Sequence, residues 1–303
     1  MRVSPLLFGA AGIALLCLMD ASIKQLSIAH PVPLVLCASY WVRVVFTLVH
    51  WRARGAKPID GAMWRYHAVR GLVVTIAATG FFIGVARLPL AEAVTLSFIA
   101  PLMVPAIAWA LIGERPRRES MLALAVGFVG VAVAVSGEAG GGGASGAMRL
   151  GGIAGVLAGA TAFAFSLVLL RGRAAADGAA RVNLLGSLYP ALFLTPVSLV
   201  GGGGLGLADA PWLLAAGALG AGGMALYATA YGRAEAQALA PLEYTALIWA
   251  AAIGYLGFGE VPGVRLLAGA ALIVVASAVA AHAERRTRMS AEEAMTRAES
   301  HAG

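Results

Sequence analysis

Charge is what this sequence has least of. Asp, Glu, Lys and Arg make up 12% of the 303 residues against 60% hydrophobic side chains, whereas a soluble domain is about a quarter charged and about half apolar. So little charge cannot cover a soluble surface. Cysteine is almost missing as well: Cys17 and Cys37 both sit inside apolar runs, where they read as small buried hydrophobes and imply neither a disulfide framework nor a metal site. The five histidines are scattered without ligand spacing. The GGGG runs at 140–143 and 201–204 lack the strand context and the Lys-Ser/Thr of a phosphate cradle, so they read as linkers. No Ser/His/Asp set, ATPase motif or basic-aromatic nucleic-acid module is found. The reading is therefore a non-enzyme without cofactor or metal, with any driving force drawn from gradients.

What is present is apolar sequence in blocks of about 20 residues, the length of helix needed to cross roughly 30 Å of hydrocarbon. Ten blocks are found, at 5–23, 33–51, 68–86, 90–112, 119–137, 150–170, 182–201, 211–232, 236–258 and 264–282. This predicts an all-α membrane protein of ten transmembrane helices. The first block follows Arg2 and superficially suggests a secretory signal, but Asp20 and Lys24 interrupt the expected cleavage region. The mixed-charge segment after His282 reads as a cytoplasmic tail.

Lys and Arg near span ends are retained on the cytoplasmic side. With the N-terminus inside, the inner segments hold Arg2, Arg52, Arg54, Lys57, Arg65, Arg70, Arg115, Arg117, Arg118, Arg171, Arg173, Arg181, Arg233, Arg285, Arg286, Arg288 and Arg297. The outer side holds only Lys24, Arg87, Arg149 and Arg265, and Arg43 lies inside span 2. Both termini are therefore placed inside, and membrane orientation accounts for the +7 net charge.

The chain is also written twice. A displacement of 146 lays Arg87 on Arg233, Leu96 on Leu242, Ala100 on Ala246, Gly113 on Gly259, Glu114 on Glu260 and Pro116 on Pro262, and it sets Phe98 and Trp109 on Tyr244 and Tyr255. Because the unit has five spans, the second copy enters the membrane from the opposite side. Equivalent loops should then differ in basic content: the loop after span 2 is rich in it, while its copy GGGGLGLADAP has none. Inverted repeats of this kind recur in secondary transporters. The expected units are residues 4–137, a Gly-rich periplasmic linker at 138–149, residues 150–282, and the tail 283–303.

An ionisable side chain in hydrocarbon is costly unless it faces a cavity or a partner, so each one is a candidate site. Arg43, in SYWVRVVF, is the deepest. Its planar fork either holds a substrate carboxylate or makes a structural pair with Asp20 or backbone carbonyls. Asp20 and Lys24, spaced i,i+4 near the outer end of span 1, are expected to pair with each other. Glu92 opens span 4 as a cap or a gate. Glu243, whose repeat equivalent is Ser97, either flanks a central cavity as a proton carrier or serves a helix terminus. Prolines at 101 and 105, 190 and 196, and 241 mark spans 4, 7 and 9 as the bent, cavity-facing helices. Tyr40, Phe82, Tyr227, Tyr244 and Trp249 are the aromatics assigned to that cavity, with Ser97 and Pro101. Spans 5 and 10 are rich in Gly, Ala and Val and nearly free of aromatics, which fits peripheral helices packed through small residues.

These segments, above all MDASIKQLS with WVRVVF, RGLVVTIAATGFFIGVARLPLAEAVTLSFIAPL followed by IGERP, and ALAPLEYTALIWAAAIGYLGFGEVP, resemble an EamA-type permease of the drug/metabolite transporter superfamily from about Ser4 to His282. The resemblance implies an inner-membrane permease, often an exporter of amino acids or other small amphipathic metabolites, with a central cavity between two five-span halves. It carries Arg43, Glu92, Pro101, Glu114, Glu243, Tyr244 and Glu260 over as family-pattern residues. The expected partners are a small-molecule substrate and the lipid bilayer, with a homodimer as one possible assembly. The alternative reading is a non-transporting membrane assembly or lipid-interacting protein.

Overall fold

The computed structural model describes residues 5–113, 116, 118–136, 144–171, 177–231, 243–279 and 282. Glu114, Pro241 and the tail after His282, singled out above, lie outside the described residues. The described chain is helical, without strands: α1 Pro5–Ser27, α2 Val32–Ala53, α3 Gly61–Val85, α4 Leu90–Ser97, α5 Ile99–Ile112, α6 Arg118–Val135, α7 Ala144–Arg171, α8 Ala179–Val200, α9 Ala210–Tyr231, α10 Thr245–Phe258 and α11 Val264–Val279. Eight helices are long and apolar enough to cross a membrane, counting α4 and α5 as one span, and α10 and α11 are shorter apolar helices. The protein is a multi-pass membrane protein.

Helix boundaries follow local chemistry. The α3 helix starts at Gly61, earlier than its apolar block, because Asp60 caps it and accepts a 2.7 Å hydrogen bond from the Met63 N–H. The α7 helix starts at Ala144, inside the stretch expected to be linker, in a run containing the good helix formers Ala, Met, Arg and Leu. Span 4 is broken at Phe98 rather than merely bent. Pro101 has no N–H for the Ser97 carbonyl and its ring crowds that carbonyl, which explains the position of the break. At the equivalent position of the second copy, Tyr244 interrupts the helix just before α10, and Leu247 donates to the Tyr244 carbonyl in a tight i+3 bond of 3.2 Å. There Leu247 stands where the first copy has Pro101, so the break does not depend on that proline. In span 7, α8 runs unbroken through Pro190 and Pro196.

Both copies also end alike. Gly113 and Gly259 adopt left-handed φ values of 73° and 68° and close α5 and α10. The Gly113 N–H donates to the Trp109 carbonyl and the Gly259 N–H to the Tyr255 carbonyl, each at 3.0 Å, the αL cap that glycine makes most cheaply.

The halves interlock. The α1 helix packs along α9 and α3 packs along α7, and the displacement of 146 converts one pair into the other. Glycines allow the backbones to approach closely: a Cβ on Gly12 would lie 2.9 Å from the Gly223 carbonyl oxygen, and one on Gly80 2.6 Å from that of Gly155. Spans 5 and 10 also meet through glycines, since a Cβ on Gly269 would come within 2.5 Å of the Gly130 carbonyl oxygen. Their other faces expose Leu122, Val126, Phe128, Val129, Leu267 and Val275, as suits peripheral helices against lipid.

Candidate functional site

At the end of the bundle assigned to the outside, ion pairs join the two halves. Lys24 of α1 does not pair with Asp20. Its ammonium donates to the Leu88 carbonyl at 2.7 Å and forms an ion pair with Glu260, beneath the Phe258 ring. This corrects the i,i+4 expectation: a backbone acceptor, a carboxylate and an aromatic face together outweigh one neighbouring acid on the same helix. The second Glu260 oxygen accepts from the Leu90 N–H at 2.6 Å, an anion at the N-terminus of α4. Glu92, 3% exposed, accepts from Arg149 at 2.6 Å. Arg149 also donates to the Val135 carbonyl at 3.2 Å and Arg265 to the Ser136 carbonyl at 2.8 Å, so two cations serve the C-terminal end of α6. Glu92, Arg149, Glu260 and Arg265 line a cavity of 360 Å³ between α4, α6, α7, α10 and α11. This volume suits a small molecule.

Deeper in the bundle stands Arg43. Its side chain is half-buried, its Nε is buried without a hydrogen-bond partner, and its Nη1 faces Gly220 of α9, where a Cβ would lie 3.6 Å away. Neither structural alternative is realised, because no pair with Asp20 and no bond to a carbonyl forms among the described residues. Tyr40, one turn earlier, lies within electrostatic range of both Arg43 and Asp20. Seven residues after Gly220 on the same face of α9, about 10 Å along the helix, the Tyr227 hydroxyl donates to Glu243 at 2.5 Å. Next to Glu243, the Tyr244 ring packs against Phe98 with centroids 5.8 Å apart. Phe98 and Tyr244 are repeat equivalents, each at the break in its span. They touch where the two halves meet.

The remaining candidates are dispersed. Phe82 is 6% exposed and packs edge-to-face on Phe81 in the apolar core. The Ser97 hydroxyl donates to the Val94 carbonyl within its own helix at 2.7 Å. Pro101 and Trp249 are exposed. Sequence reasoning missed Arg149, which it counted only as an outer basic residue. The signal was there, since a cation that violates the orientation trend needs a reason to be translocated. It also missed a buried inner-end pair between halves, His67 Nε2 and Asp177 Oδ2 at 3.0 Å, and nothing in the spacing of these residues announces it.

The model of the EamA-like transporter family matches residues 5–136 and again residues 150–281. The chain belongs to the EamA-like transporter family. It is therefore a membrane transporter of the drug/metabolite transporter superfamily, whose members are transporters rather than enzymes. Glu92 and Glu260, one in each matched segment, both line its cavity. A solved structure described only as "Crystal structure of protein" is 23% identical, covers 95% of this transporter and 99% of its own chain, and superposes with a TM-score of 0.62. At that identity the likeness concerns the fold alone. Among curated proteins, none matches.

Proposed function

We propose that the protein is a secondary exporter of small amphipathic metabolites such as amino acids or organic acids. It sits in the cell inner membrane with both termini in the cytoplasm and exposes a midplane site around Arg43 alternately to the two sides. The observation that carries this reading is the meeting of Phe98 and Tyr244, two repeat-equivalent residues at two broken spans. Irregular backbone within a membrane is tolerated beside protein or a cavity and recurs at transporter binding sites. Arg43, whose Nε has no partner among the described residues, supplies the charge for an acidic substrate group.

The alternation is between the two inverted halves, whose helices are exchanged into two mixed sets. The α1 helix contacts α9 and α10, while α7 contacts α3, α4 and α5. Each set is the repeat image of the other and mixes spans from both halves. Rocking of these two sets against each other opens either side of the Phe98–Tyr244 contact.

The test is flux in proteoliposomes, after a metabolite screen of cells overexpressing or lacking the protein has found the cargo. Arg43→Ala is expected to abolish flux of a carboxylate-bearing substrate while the variant still inserts and purifies as a single species. Wild-type flux in that variant removes Arg43 from the site.

A further inference from the structure

The α3 helix carries an arginine that transport around Arg43 leaves unused. Arg70 stands nine residues into α3 and is half-buried, and among the described residues its buried Nε has no hydrogen-bond partner. Its Nη1 faces α8, where a Cβ on Gly186 would lie 3.6 Å away. The two helices cross closely here, since a Cβ on the adjoining Gly71 would come within 2.3 Å of the Tyr189 Cβ. Displacement by 146 converts Gly71 into Gly217 of α9, whose own Cβ would meet Val42 of α2 at 2.3 Å, and Arg43 Nη1 faces Gly220 at that same crossing. The two guanidinium groups with an orphaned Nε thus occupy repeat-related crossings, α9 with α2 and α3 with α8.

Depth separates them. Trp41 of α2 donates to Thr195 of α8 at 3.1 Å. Arg43 lies two residues inward of that bond along α2 and Gly186 nine residues inward along α8, which at 1.5 Å per residue sets Arg70 roughly 10 Å nearer the end assigned to the cytoplasm. Two carboxylates at that end are engaged elsewhere: Asp60 accepts from the Met63 N–H, and Asp177 faces His67 Nε2 at 3.0 Å. Asn183 stands on the same face of α8 as Gly186, one turn further inward. A buried guanidinium nitrogen inside a span is costly without an acceptor and calls for one.

We propose that Arg70 is an anion-binding site of its own, reached from the cytoplasmic end and distinct from Arg43. Its ligand is a small oxyanion, a carboxylate or inorganic phosphate, held by two parallel hydrogen bonds from the planar guanidinium. Two oxygens of one ligand satisfy Nε and a neighbouring Nη together, and Asn183 supplies an amide one turn away. The site stands on the geometry of the α3–α8 crossing and rests neither on the assignment of Arg43 nor on transport.

Residue-resolved arginine modification tests this. The full chain in lipid nanodiscs is treated with phenylglyoxal, which reacts with guanidinium groups, and modification at Arg70 is followed by peptide mass spectrometry with and without butyrate or inorganic phosphate. An anion at about ten times its Kd leaves the site free roughly a tenth of the time, so Arg70 should react roughly tenfold more slowly. Sodium chloride at equal ionic strength should leave the rate unchanged. The butyrate and phosphate arms tell which oxyanion the site takes, and protection by either supports it. Arg43→Gln should keep that protection. The proposal is overturned if neither anion protects Arg70 beyond chloride, or if phenylglyoxal does not reach Arg70 in the free protein. It is equally overturned if protection vanishes in Arg43→Gln, because the two arginines then form one site. Flux of the same anions in proteoliposomes tests the permease reading separately: protection without flux keeps the Arg70 site, whereas flux without protection removes it.

Discussion

Lys24, Arg149 and Arg265 sit at the end of the bundle that the charge count assigns to the outside, and each has a specific acceptor: Glu260 with the Leu88 carbonyl, Glu92 with the Val135 carbonyl, and the Ser136 carbonyl. The Lys24 and Glu260 side chains are 10% and 17% exposed. Removing one partner of so enclosed a pair strands the other and costs about 3 kcal/mol. Glu260→Gln is therefore expected to lower the melting temperature of the detergent-solubilised protein markedly, by scanning fluorimetry. The double change Lys24→Met with Glu260→Met should recover part of that loss, because no charge is then left stranded. The sequence placed Lys24 near the outer end of span 1 and Glu260 just after span 9 but could not pair them. Helical spacing reports only neighbours on one helix, and Glu260 lies on the other half of the chain.

At the scale of the element, the repeated Gly-Glu-x-Pro stretch is a helix stop. Gly113 and Gly259 have left-handed backbones, and among the described residues a Cβ on either would meet nothing within 4 Å. Substitution by alanine is thus a purely conformational cost, about 1 kcal/mol at each site. Gly113→Ala and Gly259→Ala should lower thermal stability by similar amounts, and a large disparity would mean that the two stops are not equivalent. Fluorimetry on both variants decides this. The peripheral character of spans 5 and 10 was legible in composition, because small residues are there for close backbone contact and Gly130 and Gly269 make it. The break in span 4 was legible as a proline-induced bend. Its counterpart at Tyr244 has Leu247 where the first copy has Pro101, so no proline at that repeat position announces it.

At the scale of the molecule, the interlocking of α1 with α9 and of α3 with α7 makes the two halves one bundle. If the two mixed sets move against each other, a tie between Phe98 and Tyr244 must stop transport. With Cys17 and Cys37 replaced by alanine, Phe98→Cys and Tyr244→Cys joined by a short bifunctional thiol reagent should reduce flux to the level of empty liposomes, and reduction of the link should restore it. Flux that survives complete cross-linking rules out relative motion at this contact.

Hydropathy and the 146-residue displacement determined by themselves that this is a helical membrane protein with duplicated units, because span length and repeat identity are properties of local sequence. The identity of the partners belonged to the tertiary structure. Arg43 and Asp20 could have neutralised each other, and Asp20 and Lys24 looked like a pair. Packing of α10 and the residues after it against α1 and α4 set Glu260 beside Lys24 and Leu90 instead, and Arg43 Nε finds no hydrogen-bond partner among the described residues. A charge in a membrane protein takes the acceptor that the fold brings within reach, and that distance is written in no segment of the chain.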